Sequence, residues 1–190
     1  MAPSQAYNYT LSCSKTSNAT ANSEATSTTN TTFTLSISGT SILKGSAYQC
    51  AGIATIPNGI TSIEFGAFVP WNQNNSPLTN AYLTSIVWPT SSLTAINYGL
   101  INLTGLTSLD IPSSVTSISS QAIQNTASLT SATVEGPTSS ANTLTLPYYM
   151  FNQDTLALNI GNGYVNIGSY FDNGSNFTAV NLGPNVLSIG

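Results

Sequence analysis

The residue types that most often carry catalysis are nearly absent from this sequence. It contains no histidine and only two basic residues, Lys15 and Lys44. No imidazole is therefore available as a general base or as a metal ligand. A serine nucleophile needs a base beside it, and no recognisable motif places either lysine in that role. The sequence predicts that the protein is not an enzyme.

The carboxylates are the remaining candidates for catalysis, because two of them held close together could hydrolyse a glycosidic bond. The acidic residues are Glu24, Glu64, Asp110, Glu135, Asp154 and Asp172. Those that we could place in the repeat described below fall at different offsets of it, so we expect no stacked pair. The segment 172–176, DNGSN, is rich in oxygen ligands but lacks the spacing and the closing Glu of a calcium loop, and we interpret it as a turn. We expect no catalytic residue, metal site or cofactor.

The overall composition narrows the range of partners. Charged residues make up 4% of the 190 residues, where about 25% is usual. Two lysines cannot form the basic surface that phosphates require, so nucleic acid is excluded as a partner. No apolar run approaches the ~18 residues that span a bilayer, so no membrane insertion is expected. A hydrophobic content of 41% is sufficient for a folded core.

The two cysteines, Cys13 and Cys50, point to an oxidising compartment. A disulfide between them would close a loop of about 37 residues and stabilise the fold by roughly 3–4 kcal/mol. Two buried free thiols are the alternative. No signal peptide is visible in Met1–Tyr9, so either a leader has been removed or export does not use one. The expected location is extracellular, on a cell surface or on a virion surface.

The first fifty residues differ from the rest and are predicted to form an N-terminal cap. Alternating apolar residues start near Tyr7 and continue to Cys13, and a second alternating segment runs from Phe33 to Ile37. These two segments predict a β-hairpin. The stretch between them, residues 14–32, is a low-complexity run of polar residues and is predicted to be a loop.

Residues 51–190 carry an internal repeat of about 23 residues. Its units open with similar segments at Leu83, Leu106 and Leu129. A constant period of this length is typical of a solenoid, in which stacked coils share one continuous core. We expect a right-handed stack of about five to six coils, mainly β with short parallel strands. Short helical or 3₁₀ turns are expected at positions such as Ser119–Asn125, and the last coil is incomplete at the C-terminus.

The repeat resembles the BspA-like, Treponema-type class of leucine-rich repeats. That family's unit reads roughly L-x-x-L-x-I-P-x-x-V-x-x-I-x-x-x-A-F-x-x-C-x-x. The match here is LTSLDIPSSVTSISSQAIQNTAS at Leu106–Ser128 and IATIPNGITSIEFGAF at Ile53–Phe68. The family's cysteine is missing, and Thr126 stands near its place. The resemblance implies a binding or adhesion protein of bacterial or protozoan surfaces, and similar repeats occur in large DNA viruses.

Two sets of residues are candidates for surface contacts. Exposed aromatics could anchor a protein or glycan partner, and the candidates are Trp71, Tyr148 and Tyr149. Filling of the core is the alternative role for these rings. Asn-x-Ser/Thr motifs are about as frequent as chance predicts in this composition. The candidate glycosylation sites are Asn8, Asn18, Asn30, Asn102, Asn173 and Asn176.

The C-terminal residues Val186, Leu187 and Ile189 fall in the middle of a repeat unit. A bare solenoid end exposes core and strand edges, so either the chain continues or another molecule covers this end. Two functions follow. The first is a non-enzymatic extracellular or surface-displayed protein that binds proteins or glycans in adhesion. The alternative is a building block of a virion, filament or surface layer that self-assembles through this end.

Overall fold

The computed structural model describes residues 8–17, 23, 27–152, 155–171 and 176–190. In these ranges the chain forms eighteen β-strands and no helix. After an N-terminal hairpin, the strands stack in parallel as a β-solenoid of about six turns. The repeat solenoid predicted from the sequence is confirmed.

Three ladders of mostly parallel strands run along the solenoid. The first ladder contains β4 (Cys50–Thr55), β6 (Leu83–Val87), β9 (Ser108–Ile111), β12 (Ser131–Val134), β15 (Thr155–Ile160) and β17 (Asn176–Asn181). The second contains β3 (Ser41–Ile42), β5 (Ser62–Ile63), β7 (Ala95–Ile96), β10 (Ser117–Ile118), β13 (Leu144–Leu146), β16 (Val165–Ile167) and β18 (Val186–Ile189). The third contains β8 (Leu100–Ile101), β11 (Ile123–Gln124) and β14 (Phe151–Asn152). Because β3 already pairs with β5, the parallel stack begins before residue 51, the predicted boundary.

The core consists of columns of apolar side chains, one from each turn. In the second ladder Ile96 pairs with Ile63 on one side and with Ile118 on the other, and all three are buried. In-register parallel pairing places equivalent residues side by side, so the repeat in the sequence becomes a column in space. Burying one such side chain contributes about 1.5–3 kcal/mol. A single turn has no other cover for its apolar residues, so only the stack is stable.

The helical turn expected at Ser119–Asn125 is absent, and this part of the prediction was wrong. The chain makes one tight turn, in which the Ala122 N–H donates to the Ser119 carbonyl at 3.2 Å. Gln121 then adopts a φ of 57°, which a right-handed helix does not allow. Ile123 continues into β11, where its backbone pairs with strands of both neighbouring turns. Pairing between turns therefore replaces the local hydrogen bonds that a helix would make.

The predicted N-terminal hairpin is confirmed, but its strands are longer than expected. β1 (Asn8–Ser17) and β2 (Ser27–Ser38) pair antiparallel, and β1 also pairs with β4 of the first ladder. Much of the stretch predicted as a loop at 14–32 is therefore strand, and its residues 18–22 and 24–26 lie outside the described ranges. Threonine favours strands, and the Thr29 hydroxyl also donates to the Lys15 carbonyl at 3.1 Å.

A disulfide joins Cys13 of β1 to Cys50 of β4, as the sequence predicted, and the alternative of two free thiols was wrong. Both cysteines are buried in the core, and their Cα atoms are 5.4 Å apart. The bond links the hairpin covalently to the start of the solenoid across a sequence separation of 37 residues.

Hydroxyl side chains connect the turns where many proteins use ion pairs. The Thr94 hydroxyl donates to the Thr61 carbonyl at 3.2 Å, and Thr61 donates in the same way to Thr40. A second series on the first ladder links Thr130 to Thr107 at 3.2 Å, and Thr107 to the carbonyl of the preceding turn. These threonines repeat with the coils, which explains how the chain is rich in Thr and poor in charge.

Candidate binding surface

The end of each second-ladder strand from β3 to β16 forms a corner at which the backbone turns through a left-handed conformation. This corner recurs in six successive turns, with φ between 54° and 61°. Its left-handed residues are Gly45, Gly66, Tyr98, Gln121, Tyr149 and Tyr170. Non-glycine residues rarely adopt this conformation, so the stacked turns hold them there. In the four turns with a non-glycine residue at the corner, the strain is thus placed at the same edge.

Aromatic side chains collect at this edge, which we call the aromatic corner. It consists of Phe65, Tyr98, Tyr148, Tyr149 and Tyr170. In the front part, the ring centroids of Phe65 and Tyr98 are 5.3 Å apart. In the rear part, Tyr148 lies 3.8 Å from Tyr149 and 6.3 Å from Tyr170, again between ring centroids. Phe65, Tyr148 and Tyr170 are 41%, 45% and 68% exposed, which makes this edge a candidate binding surface.

The structure places the three predicted aromatic contacts differently. Tyr148 is exposed and Tyr149 half-buried, and both belong to the aromatic corner. Trp71 is buried, so the expectation that it forms a surface contact was wrong. Its indole Nε1 donates to the Gly66 carbonyl at 3.2 Å, and its ring packs edge-on to Phe65. Trp71 thereby supports the exposed Phe65 ring from below.

Sequence reasoning missed Tyr98 and Tyr170 as members of this surface. Each follows the last apolar residue of a second-ladder strand by two or three positions, as Phe65 and Tyr148 do. The signal was therefore present in the repeat, two or three positions after Ile63, Ile96 and Ile167. This signal became recognisable only when the structure showed that the left-handed corners of the stacked turns lie at the same edge.

A groove of about 470 Å³ opens beside the front part of the corner. Its lining consists of Glu64, Phe65, Asn97, Tyr98 and Ser119. One carboxylate oxygen of Glu64 accepts from the Ser62 hydroxyl at 2.6 Å, and both oxygens lie 3.4 Å from the Asn97 amide nitrogen. The groove thus combines two aromatic rings with a carboxylate, an amide and a hydroxyl, which matches the usual pattern of a ligand site.

The tyrosines of the rear part interact through their hydroxyl groups as well as their rings. A hydrogen bond with Tyr149 raises the pKa of Tyr148 above the ordinary value of a tyrosine. Partial desolvation and the neighbouring Tyr149 and Tyr170 act in the same direction, because each disfavours a phenolate. The Tyr148 hydroxyl therefore stays protonated and able to donate at neutral pH.

A long loop between Val69 and Asn80 carries Trp71, and one buried asparagine fixes it in place. The Asn80 amide nitrogen donates to the carbonyls of Cys50 and Phe68, each at 2.9 Å. Its amide oxygen accepts from the backbone N–H groups of Tyr82 and Leu83. This side chain therefore makes four hydrogen bonds away from solvent, the largest number that an asparagine commonly makes.

The predicted C-terminal contact residues lie on β18. Leu187 and Ile189 are 56% and 65% exposed, whereas Val186 is half-buried. Ile189 also lines a second cavity of about 270 Å³ with Phe171, Phe177 and other apolar residues. The end of the stack is therefore strongly apolar.

The candidate glycosylation sites are in different environments. Asn18 and Asn173 lie outside the described residues, while Asn8 and Asn30 belong to the hairpin strands. Asn176 begins β17 and is exposed. The amide nitrogen of Asn102 donates to the carbonyls of Pro77 and Leu78, at 3.2 Å and 3.3 Å. Attachment of a glycan there would replace one of the two amide hydrogens, so at least one of these bonds would be lost.

The carboxylates that the structure describes are spread over the molecule. Glu64 lies in the groove, Asp110 is exposed on β9, and Glu135 follows β12. In the described ranges, no three histidine, cysteine or acidic residues lie close enough together to hold a metal ion. Nor does this part of the chain contain a helix long and apolar enough to cross a membrane.

Parallel coils of about two dozen residues, with one apolar column per strand position, define the chain as a leucine-rich-repeat solenoid. The comparison with protein families agrees, because the BspA type leucine rich repeat region, with six copies, matches residues 21–153 and 74–190. The chain therefore belongs to the BspA-type leucine-rich-repeat family. No curated protein and no solved structure matches it. The repeat of this family is a non-enzymatic scaffold.

Proposed function

We propose that this protein is a non-enzymatic, surface-displayed adhesion module that binds its partner through the aromatic corner. The observation that carries the proposal is the row of partly exposed rings along one edge, which comes from four turns, with the Gln121 turn between its front and rear parts. Aromatic side chains dominate binding energies, because they bury a large area at a small entropic cost. A monomeric soluble protein rarely exposes such a row without a binding role.

The compartment supports the same function. Members of this family are generally surface proteins involved in adhesion. Disulfides such as Cys13–Cys50 persist mainly in oxidising environments. An extracellular, cell-surface or virion-surface location is consistent with both facts. The partner is then a protein or a glycan outside the cell, and the scarcity of basic residues argues against nucleic acid.

The test compares two variants that remove exposed apolar groups from different edges. The first replaces Phe65, Tyr148 and Tyr170 by serine, and the second carries Ile53→Thr and Val87→Thr on the first ladder, where both side chains are exposed. Binding of labelled protein to cultured epithelial cells, laminin and collagen is measured for each. The aromatic-corner variant should lose at least about tenfold in affinity. Equal binding by both variants, or no binding by the unaltered chain, would exclude the proposal.

A second candidate function is self-assembly into a filament, layer or shell through β17 and β18. The supporting observation is the set of apolar side chains exposed there: Val180, Leu182, Leu187 and Ile189. If this function is correct, light scattering should show concentration-dependent growth that Leu187→Glu abolishes and Val87→Glu leaves unchanged. A chain that stays monomeric at all concentrations would contradict this function.

A further inference from the structure

We propose that the groove beside Phe65 and Tyr98 binds a neutral glycan. The inference rests on the proposed function and names the chemical class of partner that the front part of the aromatic corner would recognise. A groove of about 470 Å³ is within the usual range for small-ligand sites.

The polar groups of the groove match sugar hydroxyls. Ser119 donates to Asn97, and the Asn97 amide lies against the Glu64 carboxylate, so these three side chains form a connected row. A carboxylate can accept about four hydrogen bonds, and Ser62 and Asn97 use only part of that capacity. The remaining acceptor sites of Glu64 can take two adjacent hydroxyl groups of a sugar ring. A bond from a hydroxyl to a charged acceptor is also stronger than one between neutral groups.

The aromatic side chains of the groove are fixed in position by their neighbours. The Tyr98 hydroxyl is fixed by a hydrogen bond of 2.7 Å to the Gln121 side chain. Phe65 packs edge-on to Tyr98 on one side and to Trp71 on the other, at centroid distances of 5.3 Å and 4.9 Å. The C–H groups on the apolar side of a sugar ring can pack on such rings. Because the rings are already fixed, little conformational entropy is lost on binding.

The charges near the groove select against acidic glycans. Glu64 is the charged side chain in its lining, and the whole chain has a net charge of −4. The nearby Lys44 ammonium lies 3.7 Å from the centroid of the Trp71 ring and 5.9 Å from that of Phe65, and it donates to Asn75; it is held by these partners and does not belong to the groove lining. A sulfated or sialylated chain would meet repulsion from Glu64, whereas a neutral glycan would not.

The test begins with the purified chain on an array of neutral hexasaccharides of glucose, mannose, galactose and N-acetylglucosamine, with heparin and sialylated glycans beside them. Binding to the best neutral glycan is then measured by isothermal titration calorimetry for the unaltered chain and for Glu64→Gln, Phe65→Leu and Val87→Thr. Glu64→Gln and Phe65→Leu should each weaken binding about tenfold or more. Val87→Thr, on the first ladder, should leave it unchanged. Thermal unfolding of each variant establishes that it is folded.

Binding to heparin or sialylated glycans alone, binding to no glycan, or equal affinity in all variants would overturn the inference. Cell, laminin or collagen binding that is lost in the aromatic-corner variant, with no neutral glycan bound, would leave the adhesion function standing and remove only the glycan assignment. Raising the salt concentration from 0.15 M to about 0.5 M should not change the affinity, because a neutral ligand gives no ionic attraction to screen.

Discussion

Gly66 and Trp71 form a matched pair, because a Cβ atom on Gly66 would lie only 2.6 Å from Cζ2 of the Trp71 ring. Gly45, one turn away, has a similar relationship, with a distance of 2.7 Å to Cδ1 of the same ring. The corner therefore carries glycine in the two turns that the indole covers. In later turns tyrosine or glutamine occupies the same left-handed position.

Gly66→Ala should destabilise the fold by about 2 kcal/mol or more. The left-handed backbone alone costs an alanine about 1–2 kcal/mol, and overpacking against Trp71 adds at least about 1 kcal/mol. Gly39→Ala is the matched control, because Gly39 also has a positive φ but a Cβ atom added there would meet no other heavy atom within 4 Å. Chemical denaturation measures both free energies of unfolding. Equal losses would show that Trp71 does not restrict the corner.

Replacement of Asn80 by alanine should cost about 3 kcal/mol or more. The change leaves two carbonyls and two N–H groups without their partner, and each unsatisfied buried group costs about 1–3 kcal/mol. Asn181→Ala is the control, since the Asn181 side chain makes a hydrogen bond to Asn159 on an exposed strand. It should cost less than about 1 kcal/mol. Denaturation midpoints that fall equally in the two variants would contradict this account of the loop.

Loss of the Cys13–Cys50 disulfide should lower the free energy of unfolding by roughly 3–4 kcal/mol, because the unfolded chain regains the freedom of a loop of about 37 residues. The double variant Cys13→Ala, Cys50→Ala and the reduced unaltered chain should show losses of similar size. Thermal unfolding with and without reductant provides the comparison. A loss below about 1 kcal/mol in both would mean that the ladders alone hold the hairpin in place.

Tyr148 should ionise at higher pH than an ordinary tyrosine, whose pKa is about 10. Its raised pKa means that the contact with Tyr149 is fully present below pH 10 and is lost as the pH rises through the higher value. NMR titration of chains labelled with ¹³C at the tyrosine ζ carbon can follow the residue directly. Tyr149→Phe should move the Tyr148 pKa back toward the ordinary value, while Tyr164→Phe should leave it unchanged. A pKa at or below the ordinary value would exclude the hydroxyl contact.

The strands of the solenoid were predictable because each apolar position of the repeat corresponds to one position in a stacked strand. Leu109 and Ile111 alternate in β9 and recur one period later as Ala132 and Val134, so the core columns follow from the sequence alone. The corner was not predictable in this way. The residue at its left-handed position changes from Gly66 to Gln121 to Tyr170. The left-handed backbone is therefore not marked in the sequence by one constant residue type.

The candidate site could be predicted only in part from the sequence, for the same reason. From the sequence, an aromatic residue in the repeat can be assigned equally well to the core or to the surface. Trp71 was predicted to lie on the surface, but it is buried. Its burial depends on the loop that ends at Asn80, whose length differs from that of the other coils. The partnership of Glu64 with Asn97 required knowledge of which residues stack, which the irregular spacing between those two turns concealed.

The threonine series on both edges of the solenoid has a consequence for where the protein can work. The side-chain hydrogen bonds of these series join hydroxyl and carbonyl groups, which neither gain nor lose protons across the natural range of acidity. Dissolved salt screens ion pairs but leaves such hydrogen bonds largely intact. We therefore expect these contacts between turns to depend little on salt concentration or pH.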